Sequence, residues 1–101
     1  MLVGLATIFE ARGDYRQSQV LLEECLGKVA DNRPGSLLVE SHDLLACSLF
    51  HQGSFARSVE HAKHALALYQ PAGSYPFMAV AGADPAVSAG NWGALSLWFL
   101  G

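Results

Sequence analysis

The sequence predicts an all-α fold: about five helices in antiparallel helix-turn-helix units, stacked as a solenoid. Two observations predict it. First, Gly13-Asp14-Tyr15-Arg16-Gln17-Ser18 returns forty residues later as Gly53-Ser54-Phe55-Ala56-Arg57-Ser58. Each copy follows one apolar stretch and opens another, and a glycine, an aromatic and a small residue at fixed offsets mark a stacked helical repeat. Second, the apolar residues around both copies recur at three- and four-residue spacing, the period of a helix face.

The elements follow in order. Leu2, Leu5, Ala6 and Phe9 share one face of a helix running from Leu2 to Ala11. Gly13 ends it, because glycine enters the left-handed backbone region at little cost. Asp14 caps the next helix, and Gln17 completes a capping-box spacing. Tyr15, Ser18, Leu22, Cys25, Leu26 and Val29 line its inner face, with Gly27 a weak point. Asp31-Asn32-Arg33-Pro34-Gly35 is a turn cluster. Ser36 caps a third helix running to about Gln52, striped by Leu38, Leu45 and Leu49. Gly53 breaks it. Phe55, Ser58, Val59, Ala62, Ala65, Leu66 and Tyr69 mark a fourth helix, stopped by Pro71. Residues 72–83 read as a long ordered loop, since Tyr75, Phe77 and Met78 are too apolar for a free linker. Asp84-Pro85 restarts a helix, aspartate as cap and proline at the first helical position, and it runs to Leu100 across Gly90 and Gly93.

Composition narrows the function classes. Hydrophobic residues make up 51% and charged residues only 15%, which excludes disorder and points to more apolar surface than an isolated monomer favours. A net charge of −3 offers no basic footprint for nucleic acid and no polybasic cluster for anionic lipid. The apolar stretches near both ends are too short, or lack the charge pattern, for a signal peptide or a membrane span. The cytoplasm is the default compartment, with Cys25 and Cys47 as reduced thiols.

The repeated phrase resembles the tetratricopeptide repeat. Leu5, Ala6, Phe9, Gly13, Tyr15, Ser18, Leu22, Cys25 and Leu26 match one repeat. Leu45, Ala46, Leu49, Gly53, Phe55, Ser58, Ala62, Ala65, Leu66 and Pro71 match a second. The departures are Ser18, Ser58 and Cys25 at alanine positions, Leu2 and His42 at a tryptophan position, and a period of forty instead of about thirty-four. Leu66-Ala67-Leu68-Tyr69, Gly82-Ala83-Asp84-Pro85-Ala86-Val87 and Leu95-Ser96-Leu97-Trp98-Phe99-Leu100-Gly101 further resemble the tetratricopeptide region of large bacterial signalling ATPases, many fused to class III adenylate cyclase domains.

The resemblance implies a right-handed stack within a single segment, 1–101: repeat one at 1–33, repeat two at 36–71, the loop at 72–83 and a half repeat at 84–101. Gly101 then aligns with Gly13 and Gly53 as a third turn glycine. The expectation is a piece of a longer array cut at a turn, with Met1 at the first helix of a repeat. Trp98, Phe99 and Leu100 would be left bare, favouring self-association through 92–101. The implied function is non-catalytic: a protein-interaction or regulatory scaffold segment that binds a protein, a peptide or adjacent repeats. First helices usually line the concave groove in this family, which makes Glu40, Asp43, Cys47 and Gln52 candidates for the partner face. The alternative is a self-associating helical fragment with no independent partner.

A small helical metal-binding enzyme is the distant third reading. His61 and His64 share a helix face, but Glu60 faces elsewhere, and at most one of His42 and His51 can approach them. Cys25 is expected to be buried, and the neighbours of Cys47 do not favour a thiolate. Ser18 and Ser58 lack a nucleophile turn; their hydroxyls can bond back along their own helices. Tyr15 and Phe55 are expected in the core. No catalytic residue, metal ligand or cofactor is assigned.

Overall fold

The computed structural model describes residues 2–27, 35–71, 75 and 84–101, with the backbone alone for 2–3 and 35–36. These form five helices: α1 (Leu2–Ala11), α2 (Tyr15–Gly27), α3 (Gly35–His51), α4 (Phe55–Leu68) and α5 (Pro85–Leu100). The expected turn at 31–34, Val29, the Ser36 cap and the loop residues Phe77 and Met78 lie outside the described residues or side chains.

The two turn glycines act as their spacing predicts. Gly13 and Gly53 have φ of 78° and 82°, the left-handed region. Gly13 N–H donates to Glu10 C=O at 2.9 Å and Asp14 N–H to Phe9 C=O at 2.8 Å. Gly53 N–H donates to Phe50 C=O at 3.0 Å and Ser54 N–H to Leu49 C=O at 2.9 Å. Both ends are therefore Schellman motifs, which satisfy carbonyls that the helix leaves open. Asp14 caps α2, its Oδ1 accepting from Gln17 N–H at 3.3 Å. The reciprocal half of the capping box cannot form, because the Asp14 N–H is already committed to Phe9.

Helix order becomes helix packing. α3 is the hub, in contact with α1, α2, α4 and α5; α1 also packs on α2, and α4 on α5. Ala6, Leu22, Cys25 and Leu45 form a buried cluster from α1, α2 and α3, flanked by Leu21, Leu26, Leu37 and Leu44. The buried residues of α4 and α5 are mostly small, among them Ser58, Ala62 and Ala65, then Ala89, Gly93 and Ser96. Ala62 of α4 leaves so little room that a Cβ on Gly93 of α5 would sit 3.1 Å from its own Cβ. Gly93, read from sequence as an interruption of α5, is thus a close-approach point between two helices.

One contact repeats. Tyr15, two residues after the first turn glycine, stacks on His51, two before the second, with centroids 4.1 Å apart. Phe55, two after the second, stacks on Phe99, two before Gly101, at 5.0 Å. The two aromatics sit between successive hairpins and are half-buried. They are thus half-buried at helix contacts and not in the core, where the sequence reading expects them.

Asp84 ties α4 to α5. Its Oδ1 accepts from Ala86 N–H at 2.9 Å, the expected cap, while Oδ2 accepts from Tyr69 Oη–H at 2.7 Å. Tyr75 stacks on Tyr69 at 5.2 Å, and its hydroxyl accepts from Gln70 N–H at 2.8 Å.

Candidate functional site

Helices α1, α3 and α5 border a cleft of about 400 Å³. Glu10 closes one wall from α1. Asp43, Leu44 and Cys47 come from α3, and Val87, Ser88, Asn91 and Trp92 from α5. Asp43 and Cys47 are four residues apart, so one face of α3 presents both.

Burial controls the chemistry of this cleft. It pushes the Asp43 carboxyl up to about 7, aided by the charges of Glu10, Glu40 and Asp84 and opposed by a hydrogen bond to Ser88. Asp43 Oδ1 is buried and has no hydrogen-bond partner among the described residues. Glu10 is also raised by burial, against hydrogen bonds from Cys47, Ser48 and Ser18 and the charge of His51. Burial and the nearby Glu10 carboxylate push the Cys47 thiol far up, so it stays protonated. His51 does not activate it. Its Nδ1 lies 2.8 Å from Cys47 C=O, where it must donate, leaving no lone pair for the thiol 3.6 Å away.

The serines correct an expectation. Ser18 and Ser58, both buried, bond across helices instead of back along their own. Ser18 Oγ–H donates to Glu10 Oε2 at 3.0 Å, and Ser48 Oγ–H donates to the same oxygen at 3.0 Å. Ser58 Oγ–H donates to Ala46 C=O of α3 at 2.7 Å. The reason is that facing helices bring an acceptor within reach of each hydroxyl.

The four residues expected on a partner face separate. Asp43 and Cys47 line the cleft. Glu40 is only 4% exposed and does not line it. Gln52 is exposed at the turn, where its amide donates to Gln19 Oε1 at 2.7 Å. Sequence reasoning missed Glu10, Val87, Ser88, Asn91 and Trp92. Glu10 had one available signal: a lone acid at the end of an otherwise uncharged helix.

A second grouping lies between α3 and α4. His42 joins His61 and His64, its Nδ1 lying 2.9 Å from His61 Nδ1 and its ring 5.0 Å from that of His64. Only one of the two histidines on α3 reaches the pair, as the spacing required; His51 stacks on Tyr15 instead.

No described helix is long and apolar enough to cross a membrane. Comparison with protein-family models, with curated proteins and with solved structures gives no match.

Proposed function

We propose that this chain is a non-catalytic partner-binding segment, a right-handed tetratricopeptide-like stack whose contact surface is the cleft along α1, α3 and α5. The carrying observation is that cleft: about 400 Å³, bordered by three helices. The recurring Tyr15–His51 and Phe55–Phe99 stacks support the repeat reading. The protonated Cys47 thiol, without a base, supports a binding role over a catalytic one. Asp43 and Glu10 offer acceptors, and no lysine or arginine among the described residues lines the walls, so the surface favours donor groups on a partner protein or peptide. The sequence resemblance suggests a regulatory scaffold role within a larger signalling ATPase or adenylate cyclase-like protein in the cytoplasm.

Selection of random peptides against the purified chain tests the cleft. Val87, 69% exposed on its wall, gives a mild variant. Enriched peptides should lose most of their affinity for Val87→Arg combined with Asn91→Arg, while circular dichroism stays unchanged. Peptides that bind the folded double variant equally well would sink the proposal.

One observation favours self-association as a second reading. Leu97, Trp98, Phe99 and Leu100 are all more than half exposed, Trp98 at 77%. Sedimentation should show a concentration-dependent dimer that Trp98→Glu weakens. A monomer at high concentration would remove this reading.

A further inference from the structure

We infer that His42, His61 and His64 form a binding site for a first-row transition-metal dication of the zinc type, linking α3 to α4. The argument begins with two nitrogens. His42 Nδ1 and His61 Nδ1 lie 2.9 Å apart, so one carries a proton and the other a lone pair aimed at it. Two imidazole nitrogens on a tetrahedral zinc, each at about 2.0–2.1 Å, stand roughly 3.3 Å apart. Replacing the shared proton by the ion therefore asks the pair to separate by only a few tenths of an ångström.

A metal needs a lone pair, and the ring that accepts across this contact already presents one. Both rings are half-buried, which leaves water access to complete the coordination.

His64 is set up as the third ligand. Its Nδ1 donates to Glu60 C=O at 2.7 Å, which leaves the lone pair on Nε2. A backbone carbonyl holding Nδ1–H is the usual support for an Nε2 ligand. The ring now stacks at 16° on His42, with its centroid 6.4 Å from that of His61, so it must turn to bring Nε2 to the ion. Accordingly, no three ligating groups among the described residues are already placed around one point. The charges around the pair nearly balance: Arg57 opposes a cation but is paired with Glu23 of α2, and Glu60 faces Lys63 at 3.9 Å.

Zinc chloride titrated into the chain at pH 7.5, followed by calorimetry, should show one saturable site in the micromolar range. Zinc should raise the melting temperature until a chelator is added. Cobalt in place of zinc should give visible ligand-field bands. His42→Gln with His61→Gln should abolish binding, His64→Gln should weaken it about tenfold, and His51→Gln should leave it unchanged. Absence of saturable binding below millimolar zinc would overturn the inference. So would binding that survives in the folded His42→Gln, His61→Gln variant. An unchanged affinity in His64→Gln would refute the three-histidine site.

Discussion

The first and second hairpin junctions use the same positions with opposite polarity. At the first, Ser18 lies five residues after Gly13 and Ser48 five before Gly53; both donate to Glu10, and their hydroxyl oxygens are 3.2 Å apart. At the second, the equivalent residues are Ser58 and Ser96. Phe50 stands where Glu10 would be and contacts Phe55, Trp92 and Phe99. Ser58 turns to the Ala46 carbonyl, and Ser96 Oγ is buried with no partner among the described residues. The carboxylate satisfies both serines of the first junction; without one, Ser58 finds a carbonyl and Ser96 finds no partner among the described residues. The repeat specifies the positions, and the residue three before each turn glycine specifies the bonding.

Removing that carboxylate should have the largest effect. Glu10→Ala should lower stability by roughly 2–3 kcal/mol at pH 5, because two buried hydroxyls lose their shared acceptor. Urea denaturation measures it. A loss below about 0.5 kcal/mol would mean that the serines find other partners, and the contrast between junctions would collapse.

The serines themselves should then respond with opposite signs. Ser48→Ala should destabilise by about 1–2 kcal/mol, since it gives up its buried hydrogen bond to the Glu10 carboxylate. Ser96→Ala should stabilise by about 1 kcal/mol, since it removes a buried polar atom with nothing to bond. Thermal melts of the two variants side by side are sufficient. Equal signs would show that Ser96 is satisfied after all.

The carboxylate also makes the first junction respond to pH. Burial raises the Glu10 pKa above its ordinary 4.5, so the folded state binds more protons than the unfolded state between the two values. Its stabilising contribution is complete below 4.5 and is lost as pH rises through the raised folded value. Glu10→Gln cannot titrate. The stability of the parent chain relative to this variant should therefore fall as pH increases from 4 to 8 in a series of denaturant titrations. A flat difference would mean that the hydroxyl bonds fully offset the burial.

The two turns were legible in the sequence because their causes are local. A glycine at positive φ and an aspartate at a helix start act within five residues, and both Gly53 and Asp84 do what their neighbours dictate. Helix faces were less legible. Cys47 lies two residues past Leu45, off the apolar stripe, yet it faces a cleft that α5 completes from forty residues on. Glu40 sits five residues before Leu45 and is buried all the same, because α3 is packed by helices on several sides. The approach of His42 to His61 depends on the rotation of two helices about their axes, and spacing along one helix does not supply it.

The smallest contrast lies at the caps, where the junctions again differ at equivalent positions. Asp14 accepts a hydrogen bond from Gln17 N–H, whereas Ser54 makes no side-chain cap bond at the start of α4. Asp14→Ala should therefore cost about 0.5–1 kcal/mol, and Ser54→Ala close to nothing. Ser54→Asp should gain about 0.5 kcal/mol, because the open amides of the first turn favour a carboxylate acceptor. The gain should shrink in salt, as charge–dipole interactions at an exposed helix end are screened. If Ser54→Ala proved as costly as Asp14→Ala, the serine would be capping in solution, and the two turns would be equivalent in energy as well as in backbone.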